Sequence, residues 1–339
     1  MFCCLNLQNL ENQSGLVSSD RQLVPKGARY LDTDALRDIV DNKNLYEGFE
    51  TFKNKPEERQ NMFWDWITTK APTRSQLKEK LNGADFVCGR GLLKRVANAP
   101  YTYAHRKSKD NYWRISAKRV GDVIFLCESE RYRNHKLPQN EQREVYRGFS
   151  FGEYVTETRR DVTLATDEPA TNIDEFVAVM QSTLALSSKS QKPLNLLYNG
   201  EIDALYKENG VPVELKVTKV SHLLTNLSRK GDKLSRTQWE WFLHSYFMGI
   251  TDIYVCYDNE EGVVKEVEKK SVKDLFEASK VNVCMNVLYK VLNEIKSILE
   301  SDGDVCVVEH LKGSVEAKIC RVASTNFFSP KFKEQFGVD

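Results

Sequence analysis

Gly200-Glu201-Ile202-Asp203-Ala204 and, a short gap later, Val213-Glu214-Leu215-Lys216-Val217 are the stretches on which the fold turns. Between them lies Lys207-Glu208-Asn209-Gly210, and Asn-Gly is a strong hairpin-turn signal. Side chains on a strand alternate faces, so Glu201 and Asp203 share one face and Ile202 takes the other. By the same rule Glu214 and Lys216 fall together, opposite Val213, Leu215 and Val217. Pairing the two strands gathers three carboxylates and one ammonium on a single patch of sheet.

Such a patch calls for a cation. Carboxylates a few ångströms apart cannot all stay ionised unless something positive joins them or their pKa values rise. Mg²⁺ or Mn²⁺ takes oxygen ligands and supplies that charge, and a nearby lysine can hold the developing phosphoryl charge. Asp203, ten residues, Glu214, one residue and Lys216 follow the D…ExK order of metal-dependent phosphodiesterases. The plain alternative is two surface strands with charged outer faces, and spacing alone does not choose between them.

Composition narrows the field. The 339 residues are 41% hydrophobic and 10% aromatic, enough for a sizeable core. A net charge of +1 advertises no global field for nucleic acid, so any basic surface is local. The eight cysteines are scattered with no CxxC pair, which suits reduced thiols inside a cell, nuclear or cytoplasmic, and no metal finger. No apolar span long enough for a membrane is evident, and no signal peptide.

Along the chain, residues 1–28 are polar and aperiodic and read as a flexible or edge-lying arm. Residues 29–339 read as a single α/β domain. Helices are expected over 55–67, starting at Pro56 and Glu57, and over Thr73–Leu81, with Thr73 as N-cap and Gly83 as stop. Further helices are expected from Gly148, over 172–187, over Thr237–Met248 and over Val287–Leu299. Buried strands fit 120–128 and Ile253–Tyr257. The tail offers Phe327, Phe328 and Phe332 as anchors. On the Thr237–Met248 helix, His244 lies about 140° from Trp239, off the apolar stripe. A lone histidine there is more often a packing residue than a catalyst.

Residues 90–119 hold nine Lys and Arg, among them Arg90, Lys94 and Arg95, against the single acid Asp110. Tyr101, Tyr103, Tyr112 and Trp113 are interleaved. That pattern suits a phosphate backbone and stacked bases, or else a solvated charged loop joining two strands.

Together these motifs resemble the DXO-type decapping exoribonucleases, the RNA 5′-end quality-control enzymes, from about Arg29 to Phe328. Phe86-Val-Cys-Gly-Arg-Gly-Leu-Leu resembles the family's Arg-Gly motif, and Tyr146-Arg-Gly-Phe-Ser-Phe its Gly-Tyr-x-Phe-Glu motif. Asn199-Gly-Glu-Ile-Asp and Val213-Glu-Leu-Lys match its ExD and ExK motifs. His244-Ser-Tyr-Phe-Met-Gly aligns with a Gln-containing helix motif, and Val283-Cys-Met-Asn with a segment outside the site. The resemblance implies two twisted mixed β-sheets flanked by helices around a D…ExK nuclease-like core.

It also implies a divalent cation, Mg²⁺ or Mn²⁺, on Glu201, Asp203, Glu214 and the carbonyl of Leu215. Lys216 would meet the scissile phosphate, and Arg90, Gly91, His244 and Arg29 would bind substrate. The implied partners are RNA 5′ ends, capped or 5′-phosphorylated, with room for a protein partner and no expectation of DNA or membrane. The implied activity is removal of incomplete or dinucleotide caps, with 5′–3′ degradation in many members.

Two departures matter. Where the family supplies a further metal-binding carboxylate this chain has Gly152. Neighbouring Glu153 does not replace it, because one helical residue turns a side chain by about 100°. Thr156, one turn on, is no carboxylate. His244 stands where the family has Gln, a milder change, since neutral imidazole also donates one hydrogen bond and accepts another. Two readings follow: a working hydrolase, or a descendant that binds RNA ends or a regulatory partner without turnover.

Overall fold

Two mixed sheets build the fold, and several strands of the larger one, such as Phe86–Gly89 and Val123–Glu128, are buried on both faces. The structure is a computed structural model that describes residues 28–52, 60–102, 113–128, 138–158, 175–186, 191–221, 235–310 and 317–338, with the backbone of strands at 3–9, 15–17 and 23–24. In chain order the strands are β1 (Cys3–Asn9), β2 (Gly15–Val17), β3 (Leu23–Val24), β4 (Arg29–Leu31), β5 (Phe86–Gly89), β6 (Trp113–Val120), β7 (Val123–Glu128) and β8 (Thr156–Thr158). They continue with β9 (Glu175–Leu186), β10 (Leu194–Glu201), β11 (Ala204–Leu205), β12 (Pro212–Lys219), β13 (Asp252–Asp258), β14 (Val264–Ser271), β15 (Val305–His310) and β16 (Ala317–Arg321). The helices are α1 (Ala35–Asp38), α2 (Asn61–Lys70), α3 (Leu77–Lys80), α4 (Arg90–Thr102), α5 (Gln139–Val155), α6 (Arg236–Met248), α7 (Ala278–Ile298) and α8 (Pro330–Phe336).

The larger sheet runs β16-β15-β6-β7-β5-β10-β9-β2-β3, with β1 lying antiparallel along β9. The smaller sheet runs β14-β13-β12-β11-β4-β8. Both are mixed: β10 is parallel to β5, and β12 to β13. The chain leaves the larger sheet after Glu201 and enters the smaller at Ala204, so Glu201, Ile202 and Asp203 sit at the crossing.

Three apolar clusters fill the layers. One face of the larger sheet packs on α4, α6 and α7 through Phe242, Phe247, Met285 and Leu288. The other packs on α2 and α8, where fully buried Trp64 donates from Nε1 to the Phe327 carbonyl at 3.0 Å. Phe327, Phe328 and Phe332 anchor the tail there, and truncating a buried aromatic of this kind costs about 3–5 kcal/mol. The smaller sheet packs on α5 through Phe151, Val155 and Leu215. No helix among the described residues is long and apolar enough to cross a membrane.

Several local expectations need correction. Residues 172–187 are not a helix: 175–186 form β9, with Met180, Ser182, Leu184 and Leu186 buried on one face. Pairing with β10 on one side and β1 on the other overrides the helical spacing of Phe176, Val179 and Leu184. The helix expected from Gly148 begins at Gln139 and carries Gly148 in its middle. The helix expected over Val287–Leu299 starts earlier, at Ala278. The helix expected over 55–67 is observed as Asn61–Lys70, and Pro56 and Glu57 lie outside the described residues. Thr73 precedes a 3-10 turn, Arg74–Gln76, before the four residues of α3, and Gly83 follows with a φ of +74°.

The carboxylate hairpin is also shorter than its sequence suggests. Only Ala204 and Leu205 pair antiparallel with Val213 and Pro212, around a turn that Gly210 closes at φ +67°. Glu201 therefore arrives from the larger sheet and not from the hairpin. The basic stretch 90–119 is neither one loop nor one surface. Its start is α4, Arg106, Lys107 and Lys109 lie outside the described residues, and Trp113 stacks on His310 inside the larger sheet at 5.2 Å. Tyr101 meets Trp239 edge-on, and Arg119 donates to the Leu299 carbonyl at 3.1 Å.

Candidate active site

A cavity of about 280 Å³ opens where the two sheets and α5 converge. Its floor is the crossing segment and β12: Glu201, Ile202, Asp203, Glu214, Leu215 and Lys216. One wall is α5, presenting Gly148, Phe149, Gly152 and Glu153, with Arg29 of β4 at its edge. His244 of α6 closes the other side.

Each element is held by its own sequence. Ser235 and Gln238 form a capping box at the start of α6: Gln238 N donates to Ser235 Oγ at 3.2 Å and Ser235 N to Gln238 Oε1 at 2.9 Å. Gly249, at φ +66°, ends the helix. Gly200 lets β10 approach α6 closely, because a Cβ there would fall 2.5 Å from Met248 Sδ. On β12, Val213 and Leu215 go into the apolar cluster under α5, which turns Glu214 and Lys216 to the other face. Arg147 of α5 is pinned to the buried Asp258 of β13 at 2.9 Å, fixing the wall relative to the floor.

The floor is a tight charge cluster. Glu214 is 1% exposed and contacts the Lys216 ammonium through Oε1, while its Oε2 is buried with no hydrogen-bond partner. Lys216 Nζ stands 3.9 Å from Asp203 Oδ2, and that oxygen accepts the Leu215 N–H at 2.8 Å. Burial, and then the Glu214 charge, push Asp203 up to about 7 against the opposing pull of Lys216. Its side chain keeps 27% of its surface open, which is the part a ligand in the cavity can reach. Burial works against the Lys216 charge, but Glu214 and Asp203 outweigh it and raise the lysine above its usual range. His244 Nε2 lies 3.5 Å from Glu214 Oε1, yet burial, with Arg90 and Lys216 beside it, holds the imidazole neutral. That contact is a dipole against a carboxylate, not an ion pair.

As they stand, the carboxylates do not close a cage: among the described residues no three His, Cys, Asp or Glu side chains are grouped to hold a metal. Lys216 bridges two of them instead. The donor set nevertheless suits a hard divalent cation, because the Glu214 Oε2 atom lacks a partner and Asp203 holds its proton near neutrality.

The α5 wall carries no such charge. A Cβ at Gly152 would meet only Leu215 Cδ1, at 3.9 Å, so the position is open space facing the floor. Glu153 reaches the cavity edge and is ion-paired with Arg29. Arg29 Nε also donates to Thr156 Oγ1, which in turn donates to the Gly152 carbonyl, both at 2.6 Å.

Of the substrate-binding residues expected from sequence, Arg29, Lys216 and His244 line the cavity, whereas Arg90 and Gly91 do not. Arg90 stands behind it at the start of α4, 8% exposed, with Nη1 buried and unpartnered. Gly91 is exposed, with nothing within 4 Å of where its Cβ would be. Phe149 and Phe176 line the cavity and were not expected. Phe149 sits inside the quoted Tyr146 motif, while Phe176 was hidden by the helical reading of β9.

Two mixed sheets that bring D…ExK side chains to one floor are the core of a PD-(D/E)XK nuclease. The sequence model described as "RAI1 like PD-(D/E)XK nuclease" matches residues 17–333, and the chain belongs to that family. Decapping nuclease dom-3 of Caenorhabditis elegans is 29% identical over 308 residues, covering 86% of this chain and 75% of that protein. The fold is shared with Scheffersomyces stipitis Rai1 in complex with (3′-NADP)+ and calcium, at TM-score 0.73 and 13% identity over 98% of this chain and 95% of that one. Candida albicans Rai1 in complex with pU5-Mn2+ aligns at TM-score 0.72 and 12% identity, with the same coverage. The family and fold expected from the motifs are those observed.

Proposed function

We propose that this protein is a metal-dependent hydrolase of RNA 5′ ends, removing incomplete or aberrant caps such as dinucleotide caps and degrading RNA from its 5′ end. The observation that carries this reading is the buried, unpartnered Glu214 Oε2 beside an Asp203 that holds its proton to about 7. A buried carboxylate oxygen without a partner, beside a second carboxyl that opens onto the cavity, is a cation site in waiting. The decapping nuclease relative and the fungal structure with pU5 and Mn2+ support the substrate class.

Glu201, Asp203, Glu214 and the Leu215 carbonyl would hold Mg²⁺ or Mn²⁺. Bound there, the cation would polarise the scissile phosphate and lower the pKa of water. Lys216, kept charged by its two acids, stabilises the phosphoryl oxygens. Neutral His244 is free to donate or accept one hydrogen bond near Glu214. Arg90 offers its unpartnered Nη1 to a phosphate, Gly91 leaves room for the chain to approach, and Arg29 guards the rim. RNA 5′ ends, in nucleus or cytoplasm, are the partner of this reading; DNA and membranes have no part in it.

A second reading, an RNA-end-binding or regulatory protein without turnover, is favoured by one observation. The wall facing the floor is bare at Gly152, and its only nearby acid, Glu153, is taken by Arg29. Purified protein incubated in Mn²⁺ or Mg²⁺ with 5′-monophosphorylated, dinucleotide-capped and unmethylated-capped RNAs tests both. The hydrolase reading expects product from at least one of them, lost in Glu201→Ala. No product from any, together with cleavage gained by Gly152→Glu, would leave only the second reading.

A further inference from the structure

The positive charge does not end at Lys216. Helices α4 and α6 pack in opposite directions. At one end Trp239 Nε1 donates to Asn98 Oδ1 at 3.0 Å. At the other, a Cβ on Gly200 would meet both Met248 Sδ, at 2.5 Å, and Arg90 Cβ, at 3.2 Å. Between these levels Arg90 and Lys94, four residues apart, share one face of α4, and Glu240 and His244 share one face of α6.

A buried cation and a half-buried one therefore lie one helical turn apart. Arg90 is 8% exposed with Nη1 unpartnered. Lys94 is partly buried and makes no hydrogen bond or ion pair among the described residues. Burial and the Arg90 charge pull the Lys94 ammonium below its usual range, and Glu240 is the acid that opposes them. Glu240 is already paired with Arg236 at 2.9 Å. Leaving two adjacent cations to face one acid that is already shared is costly, and an anion beside them would offset it. Both charges act on the imidazole of His244, which lines the cavity, so the pair stands on the cavity's α6 side.

We propose that Lys94 is a second phosphate-binding residue, taking the RNA phosphate on the 3′ side of the one being cut while Arg90 and Lys216 hold the scissile group. This rests on the RNA 5′-end reading above. One helical turn separates Lys94 from Arg90, a rise of about 6 Å, which suits successive phosphates of an extended strand better than two oxygens of one phosphate. The contact is electrostatic and independent of base identity.

The test is binding of a 5′-phosphorylated, phosphorothioate-linked pentauridylate at several salt concentrations, with uridine 5′-monophosphate as the single-phosphate control. Lys94→Met is expected to weaken pentanucleotide binding about five- to tenfold at about 0.1 M salt, the scale of one charge-assisted hydrogen bond. It is also expected to lower the slope of log K against log salt by about 0.7, the value for one phosphate contact on a single strand. Mononucleotide binding stays unchanged, and Lys94→Arg restores both slope and affinity. Wild-type affinity and slope retained in Lys94→Met would overturn the assignment while leaving the RNA reading intact. Equal weakening of mononucleotide and pentanucleotide would overturn it too. Wild-type protein that binds no RNA would remove both readings.

Discussion

The floor of the cavity and its α5 wall differ in what their acids have left to bind. On the floor, Glu214 and Asp203 share one lysine, and an oxygen of Glu214 stays buried without a partner. On the wall, Glu153 is matched by Arg29, and the residue that faces the floor is a glycine. One side needs a cation, and the other is electrically settled. A cation here would draw its ligands from the crossing segment and β12 alone, with the wall contributing space.

Each side can be broken separately. The largest effect is expected on the floor: Lys216→Met should lower RNA hydrolysis about 10²–10³-fold, the scale of losing one transition-state donor, with the circular dichroism spectrum unchanged. Next comes the strut that holds the wall. Arg147 and Asp258 form a pair at 2.9 Å with side-chain exposures of 9% and 0%. Arg147→Leu should destabilise the protein by about 3 kcal/mol in urea unfolding, because it leaves Asp258 buried with Lys219 as its remaining cation.

Gly152→Glu should fill the wall's open position and tighten Mn²⁺ about tenfold or more in calorimetry, at least the effect of an outer-layer partner. If affinity does not change, the space at Gly152 does not face the cation. The pH dependence is of similar size. A cation on the floor must displace the Asp203 proton held to about 7. Mn²⁺ affinity should therefore fall about tenfold per pH unit below that value and level off above it. Asp203→Asn should bind weakly at every pH, with that slope gone. The smallest effect belongs to the rim: Glu153→Gln removes an ion pair with side-chain exposures of 22% and 41%. It should change stability by less than about 1 kcal/mol in thermal unfolding and leave Mn²⁺ affinity as it was.

Much of the floor was legible in the chain because strand alternation is a local rule. Val213 and Leu215 go inward, so Glu214 and Lys216 had to share the other face. Glu201 escaped that logic. It belongs to β10 of the other sheet, and its meeting with Glu214 is a product of topology, not of hairpin register. His244, placed off the apolar stripe of α6, does leave the core, but it turns onto Glu214 because the smaller sheet lies there. β9 departs from the helical expectation because Phe176, Val179 and Leu184 repeat at helical spacing, while the partners that make it a strand are remote in sequence. The basic stretch from 90 to 119 misled for a related reason. Helix α4 takes Arg90 and Lys94 inward, and the larger sheet takes Trp113.

The claim that the floor alone holds the cation is tested most directly by Mn²⁺ calorimetry on wild-type protein and Asp203→Ala, both with Gly152 in place. The account predicts saturable binding to the wild type that is lost in Asp203→Ala. Dissociation constants that cannot be told apart would contradict it.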